Sequence, residues 1–271
     1  MDLRLRGKRA LVTGSSSGIG AAIASTLAGE GVLIIVHGRD AKRGNDVVEN
    51  IVAKGGVASL VLGDVSNESG ANAVAVAANK IYDGVDIVVN NAGGPSEEKP
   101  GLGIFDLSPR DWLDTYSRNV ISTMQLCNYF TPQMKARGWG RFIQITSGLA
   151  ESPRGLQGDY TASKAALNNF TFNLSRALAN SGVTVNGISP GMTITPMLEQ
   201  WLSSMAAANG LGHDVAKGEE FVLKHVVHLT VARLGLPSDI ANAVAFVASP
   251  LADYINGTTL RIDGGGSPAV T

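Results

Sequence analysis

Short apolar runs alternate along the chain with longer stretches whose apolar residues recur at helical spacing. Residues 10–12, 32–36, 58–62, 87–89, 141–145, 184–188 and 259–262 read as strands. Residues 21–30, 45–53, 71–81, 111–137, 160–179 and 239–248 read as helices, with Pro132 a kink or break in the longest. Strict alternation implies a mostly parallel sheet covered by helices on both faces. The expected fold class is therefore α/β, a single doubly wound domain over residues 1–271 with about seven strands. In such sheets ligands bind at the carboxyl ends of the strands, near the point where the strand order reverses. Residues 195–237 are the least regular segment, rich in Met, Gly, Ala and His. They read as a lid or substrate loop, the alternative being a surface helical excursion away from any ligand.

Composition narrows this picture. The chain has 271 residues, 44% of them hydrophobic and 17% charged, enough for a large core and against disorder. A formal net charge of −1 without any Lys/Arg-rich run argues against nucleic acid and against an anionic membrane surface. The single cysteine, Cys127, excludes a disulfide within the chain and a cysteine-based metal site. His225 and His228 are three apart but lack a third ligand, so no metal is expected. The first ten residues mix charges with apolar residues, and no stretch approaches a membrane span; a cytoplasmic location is expected.

The segment Thr13-Gly14-Ser15-Ser16-Ser17-Gly18-Ile19-Gly20 follows the first strand and opens the first helix. Its glycines allow a tight turn and close approach of a pyrophosphate, and the helix start adds N–H donors and the positive end of the dipole. A tight turn without a ligand would use the same glycines, so the other motifs decide. Asp64-Val65 follows the third strand and Asn90-Asn91-Ala92-Gly93 the fourth. Pro190-Gly191 with Thr195 follows the sixth, and Asp263-Gly264-Gly265 follows the last. With Asn119, Ser147, Tyr160 and Lys164, these motifs resemble the short-chain dehydrogenase/reductase family over residues 7–265, in the group that includes 3-oxoacyl-[acyl-carrier-protein] reductases. The resemblance implies a Rossmann fold, a nicotinamide dinucleotide and oxidoreductase activity on a carbonyl or secondary alcohol. It places Gly14, Ser16, Ser17, Gly18, Ile19 and Gly20 against the cofactor, with Arg39, Asp64 and Val65 on its adenosine side. Asn91, Ala92, Gly93, Pro190, Gly191, Thr193 and Thr195 complete the expected cofactor contacts.

The second strand ends Val36-His37-Gly38-Arg39. An acid at this point would accept hydrogen bonds from a free 2′-hydroxyl and repel a 2′-phosphate. By the resemblance, Gly38 stands where NAD-preferring members carry that acid, and Arg39 follows it as in many NADP-preferring ones. A guanidinium can pair with a phosphate and stack on adenine, with His37 or Lys42 to assist. NADP(H) is favoured over NAD(H). Two features weigh the other way: Asp40 could turn toward the ribose, and Ser17 stands where some NADP-binding relatives have a basic residue.

Reducing a ketone requires hydride at carbon and a proton at oxygen. Tyr160 and Lys164 are four apart on a helical segment and so share a face, where the ammonium can lower the phenol pKa. Both are also expected cofactor contacts; in the family the lysine holds the nicotinamide ribose. Ser147, just past the fifth strand, lies at the carboxyl edge and can hydrogen-bond the substrate oxygen. The resemblance gives Asn119 a water that links Lys164 to solvent. Gly94, Leu149 and Gln157 flank these motifs and are candidate substrate contacts. Met192, Met197, Trp201, Leu202 and Met205 could form one apolar stripe over the site, or plain core. The expected partner is a small carbonyl or alcohol, and the resemblance implies a homotetramer. A non-catalytic dinucleotide sensor or scaffold on the same fold is the competing reading; such relatives usually lose tetrad residues, and none is lost here.

Overall fold

The computed structural model describes residues 1–95 and 102–268. Strands β1 (Arg9–Val12), β2 (Leu33–Gly38), β3 (Val57–Leu62), β4 (Ile87–Asn90), β5 (Gly140–Ile145), β6 (Val183–Pro190) and β7 (Thr259–Ile262) form one parallel sheet. Its order is β3-β2-β1-β4-β5-β6-β7, so the direction of winding reverses between β1 and β4. Val12 pairs with Val36 on one side and with Val89 on the other. This common register brings the segments after β1, β2 and β4 to one edge of the sheet, at the reversal point.

Helices cover both faces, which is why the strands read as apolar runs rather than as alternating patterns. On one face α1 (Gly18–Gly29) and α9 (Pro237–Ala248) pack Ile23, Leu27 and Val244 against Ile34, Val36, Val89 and Ile188. On the other, α3 (Glu68–Ile81) and α5 (Ser122–Arg137) pack Val74, Leu126 and Phe130 against Leu11, Ile35, Val88 and Phe142. The remaining helices are α2 (Ala41–Ala53), α4 (Pro109–Tyr116), α6 (Gly158–Ala177), α7 (Pro196–Ala208) and α8 (Val215–His225). Among the described residues no helix is long and apolar enough to cross a membrane.

The structure corrects three expectations. The single helix expected over residues 111–137 is α4, a π-helical turn at Ser117–Ile121, and α5. Pro132 does not break α5. The carbonyl that loses its donor belongs to Asn128, on the exposed side of the helix, where water can take the donor's place. Residues 195–237 are not irregular throughout, because α7 and α8 close on a small core of Leu202, Val222, Val227 and Leu234. Each helix contributes only a short apolar face, and these residues become a core only once the two helices meet.

Candidate active site

The glycine-rich loop leaves β1 and is held from both sides. Thr13 Oγ1 accepts from the backbone N–H groups of Asn91 (3.0 Å) and Ala92 (2.9 Å). Asn91 Nδ2 donates to the carbonyls of Thr13 (2.9 Å) and Gly14 (3.1 Å). The segment after β4 therefore fixes the loop after β1, and α1 starts at Gly18, earlier than expected, with Ser17 as its extended N-cap. Gly18, Ile19 and Gly20 thus lie in its first turn, where backbone N–H groups lack intrahelical acceptors. A Cβ added at Gly18 would sit 3.4 Å from Thr195 Cγ2, so the segment after β6 reaches the same point. Within that segment Thr195 caps α7, and Thr193 Oγ1 donates to the Gly191 carbonyl at 3.1 Å.

On the adenosine side, Arg39 is exposed just past β2. Asp64 Oδ1 accepts from Ser66 N–H at 2.9 Å, which holds that carboxyl below the usual range, helped by the charges of Arg39 and Arg118. Val65, beside it, is buried. A Cβ at Gly38 would lie 2.8 Å from Ser16 Oγ and 2.9 Å from Ser16 Cβ. An acidic side chain at position 38 has no room unless Ser16 moves. Three neighbours are held by other partners. Asp40 caps α2 through Arg43 N–H (3.0 Å) and pairs with Arg43 Nε (3.1 Å) rather than turning to a ribose. Lys42 pairs with Asp46 at 3.0 Å. His37 is buried and turned toward Gly14, so it presents no charge to a phosphate.

Ser147, Tyr160, Lys164 and Asn119 come together from three elements. Ser147 follows β5; its Oγ accepts from Leu149 N–H (3.2 Å), and its hydroxyl acts on the Tyr160 phenol, drawing its pKa down. The chain enters α6 through Gln157, a non-glycine residue at φ +53 whose N–H donates to the Leu102 carbonyl at 2.9 Å. One turn past Tyr160, Lys164 Nζ lies 5.7 Å from the Tyr160 ring centroid and donates to the Ile145 carbonyl at 2.7 Å. Burial lowers the Lys164 pKa to about 8. Burial also pushes the Tyr160 phenol up, only partly offset by Ser147. Lys164 does not offset this burial, since its ammonium donates to a backbone carbonyl. Tyr160 is consequently held protonated at neutral pH.

Asn119 sits in the π-helical turn, a distortion common at functional sites. Its Oδ1 accepts from Gly94 N–H at 2.8 Å. Its Nδ2 donates to the Gly94 carbonyl (3.2 Å) and to Ser163 Oγ (2.9 Å). Ser163 in turn donates to the Tyr160 carbonyl at 2.7 Å. The Asn119 amide thus ties the segment after β4 to α6, and Gly93 must be glycine because a Cβ there would fall 2.3 Å from Asn119 Oδ1.

The scaffold matches a known family. The model for short chain dehydrogenase matches residues 8–206. The chain belongs to the short-chain dehydrogenase family. It is an oxidoreductase of CH–OH groups that uses NAD(H) or NADP(H). It is 36% identical over 265 residues to the 7alpha-hydroxysteroid dehydrogenase of Escherichia coli (strain K12), covering 98% of this chain and 96% of that one. It is 32% identical over 266 residues to the 3-oxoacyl-[acyl-carrier-protein] reductase of Aquifex aeolicus (strain VF5), covering 98% and 99%. Among solved short-chain dehydrogenase structures, L-sorbose reductase from Gluconobacter frateurii, complexed with NADPH and L-sorbose, superposes with TM-score 0.93 at 31% identity over all of both chains. 7 Alpha-hydroxysteroid dehydrogenase complexed with NADH and 7-oxo glycochenodeoxycholic acid gives 0.85 at 34%, covering 100% of this chain and 98% of that one.

The expected apolar stripe of this short-chain dehydrogenase divides in two. Leu202 lies in the core between α7 and α8, and Met192 and Met205 pack against it, whereas Met197 and Trp201 are exposed. Sequence reasoning named Thr13 in the glycine-rich motif without its hold on the segment after β4, and missed Ser163 and the pair Thr115–Asp159. Thr115 Oγ1 donates to Asp159 Oδ2 at 2.5 Å, both side chains buried, joining α4 to the first turn of α6 beside Tyr160. Only the spacing of Ser163, three residues after Tyr160 on one helix face, was a signal in the sequence. Thr115→Val strips a buried carboxylate of its donor, and urea unfolding is expected to show a loss of about 2 kcal/mol.

Proposed function

We propose that this chain is an NADP(H)-dependent reductase of small to medium, partly apolar ketones, with Tyr160 delivering the proton. The convergence of Ser147, Tyr160 and Lys164 at the carboxyl edge of β5, beside the loop after β1, supports this most directly. The dinucleotide supplies the hydride; the residues of this chain bind it, orient the carbonyl and move the proton. Gly14, Ser16, Ser17, Gly18, Ile19 and Gly20 cradle the pyrophosphate, with Asn91, Ala92, Gly93, Pro190, Gly191, Thr193 and Thr195 around the nicotinamide half. Lys164 binds the nicotinamide ribose, and Asn119 holds the proton path to solvent. Ser147 accepts from Leu149 N–H, so its own proton is directed at the Tyr160 oxygen or at the substrate oxygen. Gly94, Leu149, Gln157, Met192 and the exposed Met197 and Trp201 line the substrate side, and residues 195–237 act as the lid.

The NADP(H) preference rests on exposed Arg39 and on the crowding of position 38 by Ser16. Arg39→Ala is expected to raise the KM for NADPH by about 10- to 100-fold while moving that for NADH less than about twofold. The test is cofactor oxidation with NADPH and NADH against ketones, ketoses, oxosteroids and acyl thioesters. Preference for NADH would overturn the cofactor assignment, and inactivity on every carbonyl would favour a dinucleotide sensor. The exposed apolar side chains of Leu113, Tyr116, Phe172 and Tyr254 support a homotetramer, which light scattering after gel filtration would read.

A further inference from the structure

His37 lies one residue before the end of β2 with a side chain only 2% exposed. Its Nδ1 accepts from the Gly14 N–H at 3.1 Å. The backbone around it is tied to the same loop: Ser15 N–H donates to the His37 carbonyl (2.8 Å), and His37 N–H donates to Ser15 Oγ (2.9 Å). Gly14 leaves β1 at φ +63, so the strand ladder ends there and its partly buried N–H needs an acceptor from elsewhere. The imidazole is that acceptor. It can act only while Nδ1 is unprotonated, because a proton on Nδ1 would set two N–H groups face to face. The remaining proton then sits on Nε2, which faces the Gly63 backbone without a well-formed hydrogen bond.

We infer that His37 is a positioning residue for the phosphate loop: as a neutral imidazole it holds the Gly14 N–H and fixes the loop in its dinucleotide-binding shape, without itself touching phosphate. This rests on the loop after β1 being the dinucleotide site. The groups around the ring agree with a neutral state. Burial dominates and lowers the His37 pKa to about 4; the Gly63 backbone and Asp64 oppose it, and Arg39 adds to it. A histidine here therefore gives the loop an acceptor but no positive charge, unlike the phosphate-assisting role open to it in the sequence.

Two substitutions in the full-length protein separate this from simple packing. His37→Leu keeps similar bulk and removes the acceptor, while His37→Asn places Oδ1 as many bonds from Cα as Nδ1. Titration with NADPH is expected to show Kd raised about tenfold in His37→Leu, with kcat at saturating cofactor within about twofold, and rescue to within about threefold of wild type in His37→Asn. Should His37→Leu not fold, long-range ¹H–¹⁵N spectra of the wild-type protein carry the test. Of the four histidines in the chain, the one whose signal disappears in His37→Asn must remain neutral, with its proton on Nε2, at pH 5. A folded His37→Leu that binds NADPH as wild type does, or a His37 ring that carries its proton on Nδ1 or titrates near its ordinary value, overturns the inference. Wild-type protein that binds neither NADPH nor NADH overturns the phosphate-loop reading beneath it.

Discussion

Tyr160→Phe is expected to lower kcat for ketone reduction by about 10³-fold, with dinucleotide affinity and folding stability nearly unchanged. The alkoxide formed by hydride arrival needs a proton from a positioned donor, and Tyr160 is kept protonated by its burial. The substitution removes one oxygen, which interacts with Ser147, and leaves the ring in place. One such bond contributes about 1 kcal/mol to stability, far less than about 4 kcal/mol for a thousandfold in rate. Steady-state rates, NADPH titration and urea unfolding on the same preparation separate the three quantities. Turnover within tenfold of wild type would remove Tyr160 from the proton step. Ser147→Ala should fall in the same direction by a smaller factor, because the serine orients an oxygen and does not give up the proton in the final state.

The sheet was legible because each strand is buried on both faces and is therefore written as an apolar run; all seven were placed to within one or two residues. Helix starts were less legible. Gly18 and Ala41 begin their helices because the backbone turns there and because Asp40 supplies a cap, not because of apolar spacing. The capping box of Ser108 and Asp111 starts α4 at Pro109, two residues before the helix start expected at 111. The π-helical turn around Asn119 has no sequence signature, since it depends on what the turn packs against. Side-chain direction was the other limit. The helical spacing of Tyr160 and Lys164 gave a shared face, but not that Nζ would donate to Ile145 and leave the phenol to Ser147. His37 beside Arg39 looked like a second base for a phosphate; only the fold shows it facing inward, toward Gly14.

The direction of Lys164 leads to a prediction in which activity and stability move oppositely. Lys164→Met should reduce kcat by about 10²- to 10³-fold, through loss of the ammonium at the proposed ribose contact. The same change should stabilise the fold near neutral pH. Lowering a lysine pKa from 10.5 to about 8 means that the folded state disfavours the charged form by about 3 kcal/mol. Losing the donor to the Ile145 carbonyl returns about 1–2 kcal/mol of that, so a net gain of about 1–2 kcal/mol is expected at pH 7. The sign reverses with pH in a definite window. Below about pH 8 the wild-type lysine is charged in both folded and unfolded chains and carries the full burial cost. Between about 8 and 10.5 the folded protein loses its proton first, the cost of about 3 kcal/mol is relieved, and the wild-type protein becomes the more stable of the two. Urea unfolding at pH 7 and pH 10 reads this difference directly. The reduction rate of the wild-type protein should fall over the same alkaline limb, as Lys164 loses its charge at the proposed ribose contact. A Lys164→Met protein less stable than wild type at pH 7 would show that the bond to Ile145 outweighs the cost of burying the charge.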